Sequence, residues 1–336
     1  MFSIKKGRIF LFVKVSLACA LVYALLKNGQ LDFGSIAVVF QDLSLFVPAL
    51  LCLFAGIVIS GVRWWLLLRA TGNKIPLVTV INLQLMGSFF STWLPGAAGG
   101  DAVRGVQIYR LLKNGRSTAL LSIVADRVFA MIGLISIAAL VAIFLPEAIS
   151  PKSSVFQYVD LLIFLVLSSV IIIFLLVFGV FIALRCSVLD YLPVKVRHYL
   201  HPFGVTIMMY FRAWPVLILC LVVSVFATGI VIIGMVAIAS IFPYAASPEI
   251  TAIAGVFGNL FSVIPITPGG LGVGESVFSK VCAELSARAA PFATIYFSFR
   301  VGMLIVNIPG MVVSIFYSTK KHRRHVDSLA DKYERY

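Results

Sequence analysis

Two stretches decide how this chain is read: Leu94-Pro95-Gly96-Ala97-Ala98-Gly99-Gly100-Asp101 and Thr267-Pro268-Gly269-Gly270-Leu271-Gly272-Val273-Gly274-Glu275. Proline cannot continue a helix and glycine accepts turns that other residues resist. Each stretch therefore breaks the apolar run leading into it. Those runs, 77–94 and 250–267, are short for a membrane span and are interrupted by Asn, Gln, Ser or Pro. Each break closes on a carboxylate, Asp101 or Glu275, at a place where a new helix can begin.

Six apolar segments surround these breaks: 9–26, 43–68, 117–145, 157–184, 214–242 and 291–317. A transmembrane helix needs about 20 apolar residues, and all six are read as full spans. Hydrophobic residues make up 61% of the 336 and charged residues 12%, against roughly 45–50% and 25% in soluble domains. That composition excludes a water-soluble fold and a disordered chain alike. Lys5, Lys6 and Arg8 precede the first segment, and no small-x-small cleavage site follows, so it reads as an uncleaved span. The five cysteines carry no CxxC spacing and imply neither disulfide nor metal.

The net charge is +14, from 27 Lys+Arg against 13 Asp+Glu. The basic residues gather between apolar runs, where the positive-inside rule and anionic lipid account for them. Nucleic acid is accordingly not an expected partner. By this rule the N-terminus, 69–78, 95–116, 185–213 and the tail 319–336 are cytoplasmic, while 27–42, 146–156 and 243–249 lie outside. The run 77–94 then enters and leaves on the cytoplasmic face. The run 250–267 does the same from the outer face. Both are expected to be re-entrant.

An internal repeat accompanies this topology. Pro95-Gly96 and Pro268-Gly269 are 173 residues apart, as are Arg127 and Arg300, and span 43–68 shifted by that offset falls on 214–242. The expected architecture is an all-α polytopic membrane protein with six spans and two re-entrant broken segments in an inverted repeat. This arrangement is known among transporters. Residues 1–318 form one domain, with repeat units of about 43–145 and 214–317.

The candidate functional residues are charges placed where lipid should exclude them. Arg127 and Arg300 lie roughly 14–15 Å into their spans, about halfway through a ~30 Å hydrocarbon core. With Asp126 they would cost about 8–10 kcal/mol if left unpaired, on the mildest insertion scale. Two readings remain open for the arginines. They either lock helices, Arg127 to Asp101 and Arg300 to Glu275, or bind a phosphate, whose oxygens match a guanidinium's paired donors. Asp101 and Glu275 either cap helix N-termini or balance charge, bind a coupling ion or exchange a proton. Adjacent Asp126 and Arg127 point about 100° apart on a helix and need different partners. Arg104, three residues after Asp101, either guides a phosphate or marks the cytoplasmic face. Arg63-Trp64-Trp65 reads as an interfacial anchor. Pro95, Gly96, Gly99, Gly100, Pro268, Gly269, Gly270 and Gly272 make the breaks. Backbone freed there must be satisfied by protein or a wet cavity. No metal or cofactor is expected.

With these motifs assembled, the chain resembles the transmembrane flippase-like domain of lysylphosphatidylglycerol synthases, over about residues 10–318. Leu94-Pro95-Gly96, Gly99-Gly100-Asp101, Arg104, Pro268-Gly269-Gly270-Leu271-Gly272 and Glu275 carry the resemblance. Asp126-Arg127 stands where a Glu-Arg is common in the family. The resemblance implies the inner membrane of a prokaryote and a lipid-translocating role. No aminoacyltransferase segment follows residue 318, so lipid aminoacylation is not expected and the chain is read as a non-enzyme. The expected cargo is an anionic phospholipid or a polyprenyl-phosphate lipid. The competing readings are an integral-membrane enzyme of lipid or glycolipid modification and a non-transporting scaffold.

Overall fold

The computed structural model describes residues 16–93, 99–112, 116–144, 194–263 and 267–316. These form helices with no strand among them. In chain order they are α1 (Ser16–Lys27), α2 (Leu43–Ala70), α3 (Leu77–Trp93), α4 (Gly99–Tyr109), α5 (Arg116–Phe144), α6 (Val194–Arg212), α7 (Trp214–Ala239), α8 (Pro248–Ser262), α9 (Val273–Ser286) and α10 (Phe292–Val306). Past an irregular turn at Asn307, α10 continues to Phe316. A short turn at Phe33–Ile36 joins α1 to α2, capped by Asp32. The Asp32 carboxylate accepts from Ser35 Oγ at 2.5 Å and Gly34 N at 2.9 Å, and these bonds hold it below the usual aspartate range.

Among the described residues, four helices are long and apolar enough to cross a membrane: Leu43–Ala70, Ser117–Val141, Trp214–Ala239 and Phe292–Phe316. They coincide with four of the six expected spans. Of the other two, 9–26 is described only from Ser16 onward, and 157–184 lies outside the described residues. The protein is thus a multi-pass membrane protein whose described residues form only helices and their connections. Helices α3 and α8, of 17 and 15 residues, measure only about 25 and 22 Å, short of a ~30 Å hydrocarbon core. Each packs against the helix that follows its break, α4 or α9.

Helix α2 is the spine. Its first half, with Phe46, Leu53 and Ile57, belongs to a large core shared with α7, α8, α9 and α10. Its last turns, with Trp64 and Leu68, belong to a second core with Val80, Leu83 and Met86 of α3, Ile108 of α4 and Ile123 of α5. Ser60 and Arg63 sit between the two cores and line a cavity there. A polar band on one apolar helix thus fixes the level of the site.

The structure corrects one reading. Arg63 and Trp64 are not interfacial: they are 3% and 0% exposed, inside the protein. Trp64 Nε1 donates to Ser122 Oγ at 3.3 Å. Trp65 is half-buried and donates to the Ile75 carbonyl at 2.9 Å, with the Arg69 guanidinium 4.8 Å above its ring. Much of the segment 185–213, read as a cytoplasmic connection, is helical. Thr206 of α6 lies 3.3 Å from Thr118 of α5, hydroxyl to hydroxyl.

Candidate functional site: a charged cavity between two broken helix pairs

Gly100 lets α4 approach α3. A side chain there would collide with the Gly87 carbonyl oxygen and Ser91 Oγ. That close contact places Asp101, in the first turn of α4, against α5. Its carboxylate takes two bonds from Arg127: Nε to Oδ2 at 2.9 Å and Nη2 to Oδ1 at 2.8 Å. One turn along α4, Arg104 Nη2 donates to the same Oδ1 at 2.8 Å.

Asp126, the neighbour of Arg127, indeed finds other partners. Arg104 Nη1 donates to its Oδ2 at 3.2 Å, and Arg63 Nη2 lies 2.8 Å from its Oδ1. Arg63 also donates to Ser224 Oγ on α7, at 3.2 Å. Gln84 Oε1 accepts from Arg104, whose guanidinium lies 4.7 Å over the Trp64 ring. The result is one alternating chain of charges, Arg63–Asp126–Arg104–Asp101–Arg127, linking α2, α5 and α4. Side chains of Arg63, Asp126 and Arg104 are each 4% exposed, whereas Arg127 is 48% exposed.

The second break is built differently. Gly269, Gly270 and Gly272 have φ of 62°, 68° and 80°, a region that is costly for any residue with a Cβ. Glu275 reaches back so that its Oε2 accepts from Gly272 N at 2.8 Å, which starts α9. Arg300 of α10 completes the turn. Its Nη1 donates to the Gly269 carbonyl at 2.6 Å, and Nη2 to the Gly270 carbonyl at 2.7 Å and Ser262 Oγ at 3.1 Å. Its Nε lies 2.6 Å from Glu275 Oε1, and Glu275 is 1% exposed. Tyr296, under this guanidinium at 5.3 Å, donates to Asn259 Oδ1 at 3.1 Å.

Both clusters face one cavity of ≈ 640 Å³, a size ordinary for a small-ligand site. Arg63, Arg104, Arg127 and Arg300 line it, against Asp101 and Asp126. Ser88, Ser91, Asn259 and Ser262 contribute neutral polar groups. Of the residues singled out from sequence, Asp101, Arg104, Asp126, Arg127, Pro268, Gly269 and Arg300 meet at this cavity, and Glu275 stands behind Arg300. Gly99 begins α4 and Gly270 and Gly272 shape the second turn. Pro95 and Gly96 lie outside the described residues. Arg63 and Asn259 were missed. The signal for Arg63 was Asp126, a buried acid that needed a cation other than its neighbour. Among the described residues, no three or more His, Cys, Asp or Glu side chains gather as a metal ion requires.

A model of the lysylphosphatidylglycerol synthase TM region matches residues 11–310. The chain belongs to that family. The match embraces every residue of the cavity wall, and membership points to a membrane protein with a lipid-related function. No curated protein and no solved structure matches the chain.

Proposed function

We propose that this member of the family is a flippase-like translocator, moving a phosphate-bearing phospholipid or polyprenyl-linked lipid between the leaflets of the inner membrane. The observation that carries the reading is Arg127. It is half exposed in a cavity whose wall is rich in arginine, and it gives only two of its five N–H donors to a described residue, Asp101. A guanidinium edge of this kind fits a phosphate, and in a low-dielectric cavity the contact is stronger than in water.

In this reading the units 43–145 and 214–317 form an inverted repeat. The pairs α3–α4 and α8–α9 are re-entrant, one from each face, and both chain termini are cytoplasmic. The short lengths of α3 and α8, the 173-residue offset and the acid–arginine pair beside each break support it. The chain does not itself modify the lipid. Asp101 balances the charge of Arg127 when the cavity is empty, and Arg300 with Glu275 holds the opposite wall.

The test is reconstitution into vesicles with tail-labelled lipid in one leaflet. Wild type is expected to speed leaflet exchange over protein-free vesicles, and a folded Arg127→Ala variant is expected to lose most of that gain. Equal exchange by the two proteins, across anionic and zwitterionic lipids, rejects the proposal.

A further inference from the structure

We infer that Arg63 is a positioning residue of the cavity: acting through Asp126 and Arg104, it sets how tightly Asp101 holds Arg127, and so how readily Arg127 takes the phosphate of a lipid. The inference rests on the translocator reading and gives a role to the Arg63-Trp64 pair, which that reading leaves unused.

The chain of influence begins on α2. Arg63 is buried and pinned from α7, where Ser224 Oγ accepts from its Nη1 at 3.2 Å and Cys220 Sγ lies 3.8 Å from its carbonyl oxygen. Nε and Nη2 of the same guanidinium meet one carboxylate oxygen, Asp126 Oδ1, at 2.9 and 2.8 Å. Asp126 turns its second oxygen, Oδ2, to Arg104 Nη1 at 3.2 Å. One acid is thus divided between two arginines, with one oxygen for each.

Arg104 passes that division on. Its stem crosses α3 at Gly87, where a side chain would collide with Cγ and Cδ. Its guanidinium rests 4.7 Å over the Trp64 ring, and Trp64 is fixed in turn by its bond to Ser122. The stem is held, which leaves the fork to tilt above the indole. Nη1 meets Asp126 Oδ2, and Nη2 meets Asp101 Oδ1 at 2.8 Å. Any tilt toward one acid is a tilt away from the other.

Asp101 is the point of competition. Its Oδ1 accepts from Arg104 Nη2 and Arg127 Nη2, both at 2.8 Å. A carboxylate oxygen that serves two guanidiniums holds each less firmly than it would hold one. With Arg63 in place, Asp126 is partly neutralised from α2 and leaves the Arg104 fork to Asp101. Arg127 is then held loosely and stays 48% exposed. Without Arg63, Asp126 loses the two bonds to Oδ1, and the cost of a poorly compensated buried charge draws the Arg104 fork toward it. Asp101 no longer shares Oδ1 with Arg104, closes on Arg127, and the cavity loses its available guanidinium.

The experiment titrates a tail-labelled phospholipid against the full chain, reading binding in detergent and leaflet exchange in phosphatidylcholine vesicles. The probes are phosphatidylglycerol and phosphatidylethanolamine, one at a time. Arg63→Gln is expected to raise the half-saturating lipid concentration roughly tenfold, the worth of one charge-assisted bond, while exchange at saturation is kept. Arg63→Lys, which restores a donor to Asp126, is expected to lie close to wild type. Arg63→Gln/Asp126→Asn removes both buried charges and leaves Arg104 to Asp101. It is expected to bring half-saturation back to the wild-type range or below it. In an Arg127→Gln background, Arg63→Gln is expected to add nothing.

Equal half-saturation in Arg63→Gln and wild type overturns the inference. So does a lower exchange at saturation with half-saturation unmoved, the mark of a purely structural loss. A further loss from Arg63→Gln when Arg127 is already Gln also overturns it, by showing that Arg63 acts on the lipid directly. Should Arg63→Gln fail to fold, the double variant decides: half-saturation still raised overturns the inference, and a return to wild type upholds it. If neither probe moves but the binding order among the variants holds, translocation fails and the positioning role stands. Wild type that binds neither probe overturns the inference, whatever its exchange.

Discussion

The two arginines of the paired motifs occupy corresponding places in sequence and opposite conditions in space. Arg300 is 19% exposed, in contact with Glu275 and bonded to the Gly269 and Gly270 carbonyls and Ser262. Arg127 is 48% exposed and, among the described residues, bonded to Asp101 alone, an acid that Arg104 also holds. The same residue type thus serves as a fixture in one half and as an available donor in the other. Sequence left lock and anion site as alternatives for both arginines. Both pairs that a lock requires, Arg127–Asp101 and Arg300–Glu275, are present, and they differ in that Arg127 keeps an exposed edge.

Stability measurements can break this comparison most sharply. Arg300→Ala is expected to destabilise the protein by about 3–5 kcal/mol, because Glu275 is left as an uncompensated buried charge. Arg127→Ala is expected to cost less, about 1–2 kcal/mol, because the pair is half-exposed and Asp101 keeps its bond from Arg104. Thermal unfolding of the two variants in detergent checks this, and equal losses would remove the distinction. Asp126→Asn is expected to fall near Arg300→Ala, at about 3 kcal/mol or more, since it strands Arg63 and weakens Arg104.

Close packing gives a smaller effect. Gly100→Ala and Gly274→Ala are each expected to cost about 1–3 kcal/mol by overpacking. A Cβ at Gly100 meets the Gly87 carbonyl oxygen, and one at Gly274 meets Ser262 Oγ and the Tyr296 ring. Gly100→Ala is also expected to impair lipid exchange beyond its stability cost, because Asp101 moves with α4. Gly274→Ala is not, because Arg127 stays in place.

The smallest effect concerns Asp32, on the exposed turn before α2. Its carboxyl titrates below the ordinary value, so the folded state is favoured above the unfolded aspartate pKa. That contribution disappears as pH falls through the lower folded value. Asp32→Asn is expected to flatten the acid limb of stability slightly, as unfolding scans below pH 4 would show, and to leave lipid exchange unchanged.

Much of this fold is legible because lipid imposes simple demands. The segments 43–68, 117–145, 214–242 and 291–317 stand out by length and apolarity, and the structure has helices there. The acid–arginine pairs stand out because charge inside a span must be neutralised. Arg63 was hidden for the same reason that interfacial anchors are visible. An Arg beside two Trp near the end of a span has one sequence signature and two physical meanings. Only the direction of its side chain separates them, and hydropathy does not record direction. Helix α6 was hidden because 194–212 mixes basic and apolar residues with no long apolar run. Nor does the sequence foretell that Arg104 bridges two acids, since Asp126 lies 22 residues further along the chain.

The bonds from Arg300 to Gly269 and Gly270 also order the birth of the protein. They join residues 31 and 30 positions apart, so the bend after α8 is synthesised well before the side chain that completes it. Until α10 arrives, the two carbonyls must keep water or the insertion machinery as company, since lipid offers them nothing. On the re-entrant reading proposed above, the α8–α9 pair cannot settle into the membrane before α10 is made, and the cavity closes only then.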